Sequence, residues 1–162
     1  MSAWPSGQPV CSLAAAPELW GCDLQPTVLV VEDHDALRRS LHEWIQAVFP
    51  DCAVFEARSG EEAVASGPIC LPAIVLMDIG LPGMNGIEAT RRLKALLPTS
   101  RIVMLTIFES DAYRIEAAAA GACAFVAKSH MHSELLPVLA ALLEPWQLAC
   151  DRTRWPAASV PD

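Results

Sequence analysis

The strongest constraint on the fold of this chain is an alternation. Five times over, a short apolar run rich in β-branched residues gives way to a stretch whose apolar residues recur at helical spacing. The apolar runs are Thr27 to Val31, about Ala53 to Ala57, Ala73 to Met77, Arg101 to Thr106, and Ala122 to Ala127. Between them the first helix is expected to open at Asp35 as cap, present Leu37, Leu41, Trp44, Ile45 and Val48 on one side, and stop at Pro50. The second helix is expected from Ser59 to about Ser66, the third from about Asn85 to Leu97 before Pro98, and the fourth from about Asp111 to Ala120 before Gly121. The last is expected over about Ser133 to Leu143, with Pro137 removing a hydrogen bond and kinking or delaying it. Five β-then-α units in a row predict an α/β fold, a doubly wound parallel sheet with helices on both faces. Burial on both faces also explains why the strands read as continuous apolar runs.

Around this core, 27–144 reads as one domain, 1–26 as an irregular arm and 145–162 as an irregular tail, both punctuated by prolines. Apolar residues make up 53% of the chain and charged residues 19%, which excludes a wholly disordered chain. A net charge of -8 without a Lys/Arg-rich run excludes a basic nucleic-acid footprint, so no direct DNA binding is expected. The six cysteines form no C-x-x-C pair and are read as reduced structural thiols. No Lys or Arg precedes Arg38 and no apolar run approaches a membrane span, so a cytoplasmic protein with no membrane partner is expected.

The chemistry concentrates where the apolar runs end. In an open parallel sheet, ligands bind beyond the carboxyl ends of the strands. Glu32 and Asp33 follow the first run, Asp78 the third, Thr106 closes the fourth and Lys128 follows the fifth. Three carboxylates crowded together repel unless a cation joins them, and hard oxygen ligands in a small cluster suit Mg²⁺. Lys128 and Thr106 suit phosphoryl oxygens, and Asp78 reads as a nucleophile able to form an aspartyl phosphate. Singly, each residue has a plainer reading: Asp33 as a cap, Glu32 as a helix-start charge, Thr106 as a strand end, Lys128 as a solvated charge. Their joint placement at the ends of four strands of one repeat favours the chemical reading.

The segments VLVVEDH, MDIGLPGMNGIEATRRLK, MLT and AAAAGACAFVAKS together resemble the receiver domain of bacterial two-component response regulators, especially the subgroup that usually carries a helix-turn-helix output domain. The resemblance implies a flavodoxin-like sheet in the order 2-1-3-4-5. It implies Asp78 as phosphoacceptor, with Asp33, Asp78 and the backbone carbonyl of Gly80 as Mg²⁺ ligands and Glu32 reaching the metal through water. Lys128 matches the phosphate-contacting lysine, Thr106 the switch hydroxyl and Phe125 the switch aromatic. The implied partner is a sensor histidine kinase or phosphotransfer protein, with a possible homodimer through the fourth and fifth βα units. Such a domain promotes only its own phosphorylation and dephosphorylation. Gly80 and Phe108 match two positions that influence the attacking water, and neither can hold one, which implies slow self-dephosphorylation.

Two alternatives stay beside the signalling module. One is a phosphate sink or a transcriptional regulator truncated before its DNA-binding domain, which the residues after Glu144 are too few to build. The other is a flavodoxin-like enzyme or cofactor binder, disfavoured by the lack of a G-x-G-x-x-G or Walker-type loop.

Overall fold

A computed structural model describes residues 25–153; the expected arm and the end of the expected tail, 1–24 and 154–162, lie outside the described residues. The strands are β1 (Thr27–Val31), β2 (Ala53–Ala57), β3 (Ile74–Met77), β4 (Arg101–Thr106) and β5 (Ala124–Ala127). The helices are α1 (Asp35–Val48), α2 (Gly60–Cys70), α3 (Gly86–Leu96), α4 (Asp111–Ala120) and α5 (Met131–Thr153), the last preceded by a 3-10 turn at Lys128–His130. All strand pairs are parallel and the order is β2-β1-β3-β4-β5. This is the expected flavodoxin-like arrangement.

Side chains alternate across each strand, and both sets are buried. Val28, Val30, Ile74, Leu76, Val103, Leu105 and Val126 join one core with Leu41 and Ile45 of α1 and Leu135, Leu139 and Leu142 of α5. Leu29, Val31, Val75, Met77, Ile102, Met104 and Phe125 join the other with Ala63 of α2, Leu93 of α3 and Ala117 of α4. The two cores explain the unbroken apolar strands, since a residue facing either way meets a helix.

Several helix boundaries differ from expectation, each for a local reason. His34, not Asp35, caps α1: its Nδ1 accepts the Leu37 N–H at 3.2 Å, while the Asp35 carboxylate is drawn to Arg38. Helix α2 continues past Ser66 through Pro68 to Cys70, because a proline this near the end removes a single bond before Leu71 turns left-handed at φ 46°. Strand β5 starts at Ala124 rather than Ala122, because the Ala122 N–H turns back to the Ala117 carbonyl at 3.0 Å and closes α4 instead. Helix α5 starts earlier than expected and runs to Thr153, so 145–153 is helical and not irregular. Pro137 and Ser133, whose carbonyl loses its helical donor, are both exposed, and water can take the lost bond.

The α1 side of the sheet provides a direct test of this packing. Ile45 is fully buried in that core, so Ile45→Ala is expected to cost about 2–5 kcal/mol. Urea unfolding should show a lower midpoint with an unchanged slope; a midpoint equal to wild type would contradict the packing.

Candidate functional site

The chain leaves β1 towards β2 on one side of the sheet and returns to β3 on the other, opening a crevice between β1 and β3. Val31 pairs with Met77, so the residues that follow, Glu32 and Asp78, emerge side by side. Their backbones are fixed by the ladder: the Glu32 N–H donates to the Ala57 carbonyl and the Asp78 N–H to the Val31 carbonyl, both at 3.1 Å. Glu32 is 3% exposed and Asp78 6%, whereas Asp33 is exposed. One carboxylate oxygen from each of Glu32, Asp33 and Asp78 lies within 4.8 Å of the others.

A single ammonium holds this acidic group together. Lys128 Nζ lies 2.6 Å from Glu32 Oε2 and 2.9 Å from Asp78 Oδ2. The second oxygens accept backbone N–H groups, Glu32 Oε1 from His34 and Asp78 Oδ1 from Gly80, each at 3.2 Å. Burial pushes the Glu32 carboxyl up, against the hydrogen bond and charge of Lys128 that pull it down. Burial opposes the charge of Lys128 too, but its bonds to Glu32 and Asp78 outweigh it and raise its pKa. Three carboxylates and one ammonium leave the group negative, and a donor set of hard oxygens fits a divalent cation such as Mg²⁺.

The loop after β3 owes its path to close approach. Gly86 presses on Asp78 so tightly that a Cβ would lie 1.9 Å from the Asp78 carbonyl oxygen. Gly83 has φ +74°, and next to it the Met84 N–H donates to Glu61 Oε1 of α2 at 2.8 Å.

On the far side of β3, Thr106 is 0% exposed and its Oγ1 accepts the Phe108 N–H at 3.2 Å. The Phe108 ring covers Gly80: a Cβ on Gly80 would lie 2.9 Å from Phe108 Cε2 and 3.9 Å from Asp78 Oδ2. Phe125 is not in the crevice; it is buried in the core under α4, with the Arg114 guanidinium 4.5 Å from its ring centroid. Thr106 pairs with Ala127 and Met104 with Phe125, so the alternation along the strands turns Thr106 and Phe125 to the same face of the sheet.

One supporting residue was not legible as such. Arg38 is 3% exposed, and its guanidinium donates to the Glu32 carbonyl (2.9 Å), Glu56 Oε2 (3.0 Å) and Asp35 Oδ1. Two signals were available: Arg38 shares the inward face of α1 with Leu41 and Ile45, and Glu56 interrupts an apolar strand.

A family model described as the response regulator receiver domain matches residues 28–140. Response regulator GacA of Pseudomonas protegens is 33% identical over 112 residues, covering 69% of this chain and 53% of that protein. A protein-glutamate methylesterase/protein-glutamine glutaminase of Myxococcus xanthus is 42% identical over 102 residues, but these are only 29% of its length. The chain thus spans about half or less of these curated relatives. Among solved structures, a LuxR-family two-component response regulator from Aurantimonas is similar, with TM-score 0.69 and 30% identity over 82% of this chain and all of that one. Among the described residues, no helix is long and apolar enough to cross a membrane.

Removing the ammonium isolates two buried carboxylates. Lys128→Met is therefore expected to destabilise the protein by about 3 kcal/mol in chelator, and by less in millimolar Mg²⁺, which replaces the missing charge. Urea unfolding of both proteins in both buffers measures this. An equal gap in the two buffers would contradict a cation-accepting cluster.

Proposed function

The chain belongs to the response regulator receiver domain family, and from that premise we propose that Asp78 is its phosphoacceptor. The observation that carries this reading is the meeting of Lys128 with Glu32 and Asp78, with Asp33 close by at the same crevice. The buried Asp78 carboxylate touches an ammonium that phosphoryl oxygens can later engage.

In this reading Asp33, Asp78 and the Gly80 carbonyl would hold Mg²⁺, with Glu32 assisting through water, and the ion would supply positive charge against the phosphoryl oxygens. A carboxylate oxygen of Asp78 attacks phosphorus in line, the P–N bond of a phosphohistidine breaks as the new P–O bond forms, and the leaving imidazole takes up a proton. Lys128 moves from the Asp78 carboxylate to a phosphoryl oxygen, so its charge follows the charge being transferred. The donor is a sensor histidine kinase or phosphotransfer protein, and the chain acts on no other substrate.

Thr106 responds next. Its hydroxyl oxygen accepts from the Phe108 amide, leaving the hydroxyl proton available to the new phosphoryl oxygens. Because Thr106 and Phe125 share the face covered by α4, a shift of Thr106 is transmitted to the aromatic ring and to the surface of the fourth and fifth βα units. That surface is where a partner or a second copy of the chain would sense phosphorylation.

Intact-mass spectrometry after incubation with acetyl phosphate tests the assignment. Wild type is expected to gain one phosphoryl group only with Mg²⁺ present, and Asp78→Asn none. Equal labelling of the two proteins would refute it.

The Phe108 ring over Gly80 gives a second expectation. With no polar side chain at either position to orient water, the aspartyl phosphate should be long-lived. Gly80→Asn alone would collide with Phe108, so the variant to compare is Gly80→Asn with Phe108→Glu. It should dephosphorylate about tenfold faster or more, the effect of each ~1.4 kcal/mol of barrier removed. Equal or slower decay would remove the idea.

A further inference from the structure

We propose that Arg38 is a positioning residue for the metal-binding carboxylates, acting chiefly on Asp33; this rests on the reading of the crevice given above. The argument starts from what holds each acid in place. Glu32 and Asp78 are fixed by Lys128 and by backbone N–H groups. Asp33 has no side-chain hydrogen bond among the described residues and is exposed, so the point from which its carboxylate reaches the crevice is set by its backbone.

The backbone leading into Asp33 is held at both peptide units that flank the Glu32 Cα, each by a group distant in sequence. The Glu32 N–H is tied to β2 through the Ala57 carbonyl, and the Glu32 carbonyl, which forms the peptide bond to Asp33, accepts Arg38 Nη1 at 2.9 Å. Rotating that carbonyl would rotate the start of Asp33 with it. Arg38 is itself locked. Its Nε meets Glu56 Oε2 at 3.0 Å, and the other Glu56 oxygen lies 2.8 Å from His42 Nδ1, so the brace reaches from α1 through β2 back to α1. A planar fork can serve the carbonyl and two carboxylates at once, which an ammonium on a flexible stem cannot.

Charge alone would predict the opposite sign. A cation near an acidic group weakens binding of another cation, so deleting Arg38 should tighten Mg²⁺ binding if only Coulomb's law mattered. Positioning predicts weaker binding, by about ten- to a hundredfold, the usual effect of losing a group that orients metal ligands.

The test is Mg²⁺ titration by calorimetry of the wild type, Arg38→Met, Arg38→Lys and Asp33→Asn, each first shown to unfold cooperatively in urea. The expected result is weaker Mg²⁺ binding in both Arg38 variants, with Arg38→Lys failing to restore affinity although it keeps the charge. Native or tighter affinity in a folded Arg38→Met or Arg38→Lys protein would overturn the proposal. Should Arg38→Met not fold, Arg38→Lys decides alone. If Asp33→Asn binds Mg²⁺ as the wild type does, the metal assignment itself fails, a result distinct from failure of the brace.

Discussion

The ammonium of Lys128 between the carboxylates of Glu32 and Asp78 is the interaction on which the rest of the site depends. A parallel sheet brings its strand ends to one edge, and here the two neighbouring interior strands both end in acids. Without a positive charge between them, the two buried carboxylates would repel each other uncompensated. Lys128 comes from β5, separated from β1 by two intervening strands, so the ion pair forms only when the whole sheet is in register. Folding and assembly of the site are therefore one event. A buried ion pair is a weak source of stability; what it does here is hold the Glu32 and Asp78 side chains in place at the crevice.

The strand ends were legible because burial and charge conflict in the sequence itself. IVLM running into Asp78, or TVLVV into Glu32 and Asp33, leaves no benign place for an acid except a site or a cap. The parallel sheet followed from the repeat of strand and helix, its order from the resemblance, and the site's four charged residues from their places at the strand ends. What stayed hidden depends on contacts between elements remote in sequence. Arg38 looked like one of two arginines on a surface helix, and only the packing of α1 on β1 and β2 shows which one turns inward. The closure of Phe108 over Gly80 is of the same kind, since it joins the loop after β4 to the loop after β3. Helix ends escaped for a smaller reason: competition between single hydrogen bonds, such as His34 against Asp35 as cap, is decided by neighbours no local pattern records.

The two cores are built from side chains of different size. Helices α1 and α5 cover one face with Leu41, Ile45, Leu139 and Leu142, large side chains that interlock. Helix α4 covers its part of the other face largely with alanines, Ala117 and Ala120, and rests an arginine over the ring of Phe125. Small side chains contribute less burial per residue, so each buried residue of α4 adds less apolar stabilisation than the leucines and isoleucine of α1 and α5. An element held this way can shift at modest cost when the residues beneath it move, which suits the face that Thr106 and Phe125 share.

The Arg38 brace also bears on a hazard unrelated to chemistry. Among the described residues, strand β2 is an edge of the sheet with one neighbouring strand, and Phe55 is exposed. Such an edge is a template on which another chain can add a strand. Glu56 sits in the middle of it, and Arg38 and His42 hold that carboxylate in place rather than letting it swing clear. A strand arriving from another molecule would have to stack its own side chains against a fixed ion pair and desolvate it. Arg38, Glu56 and His42 thus join the edge strand to the Glu32 carbonyl, and any strand added at this edge would have to accommodate the same three side chains.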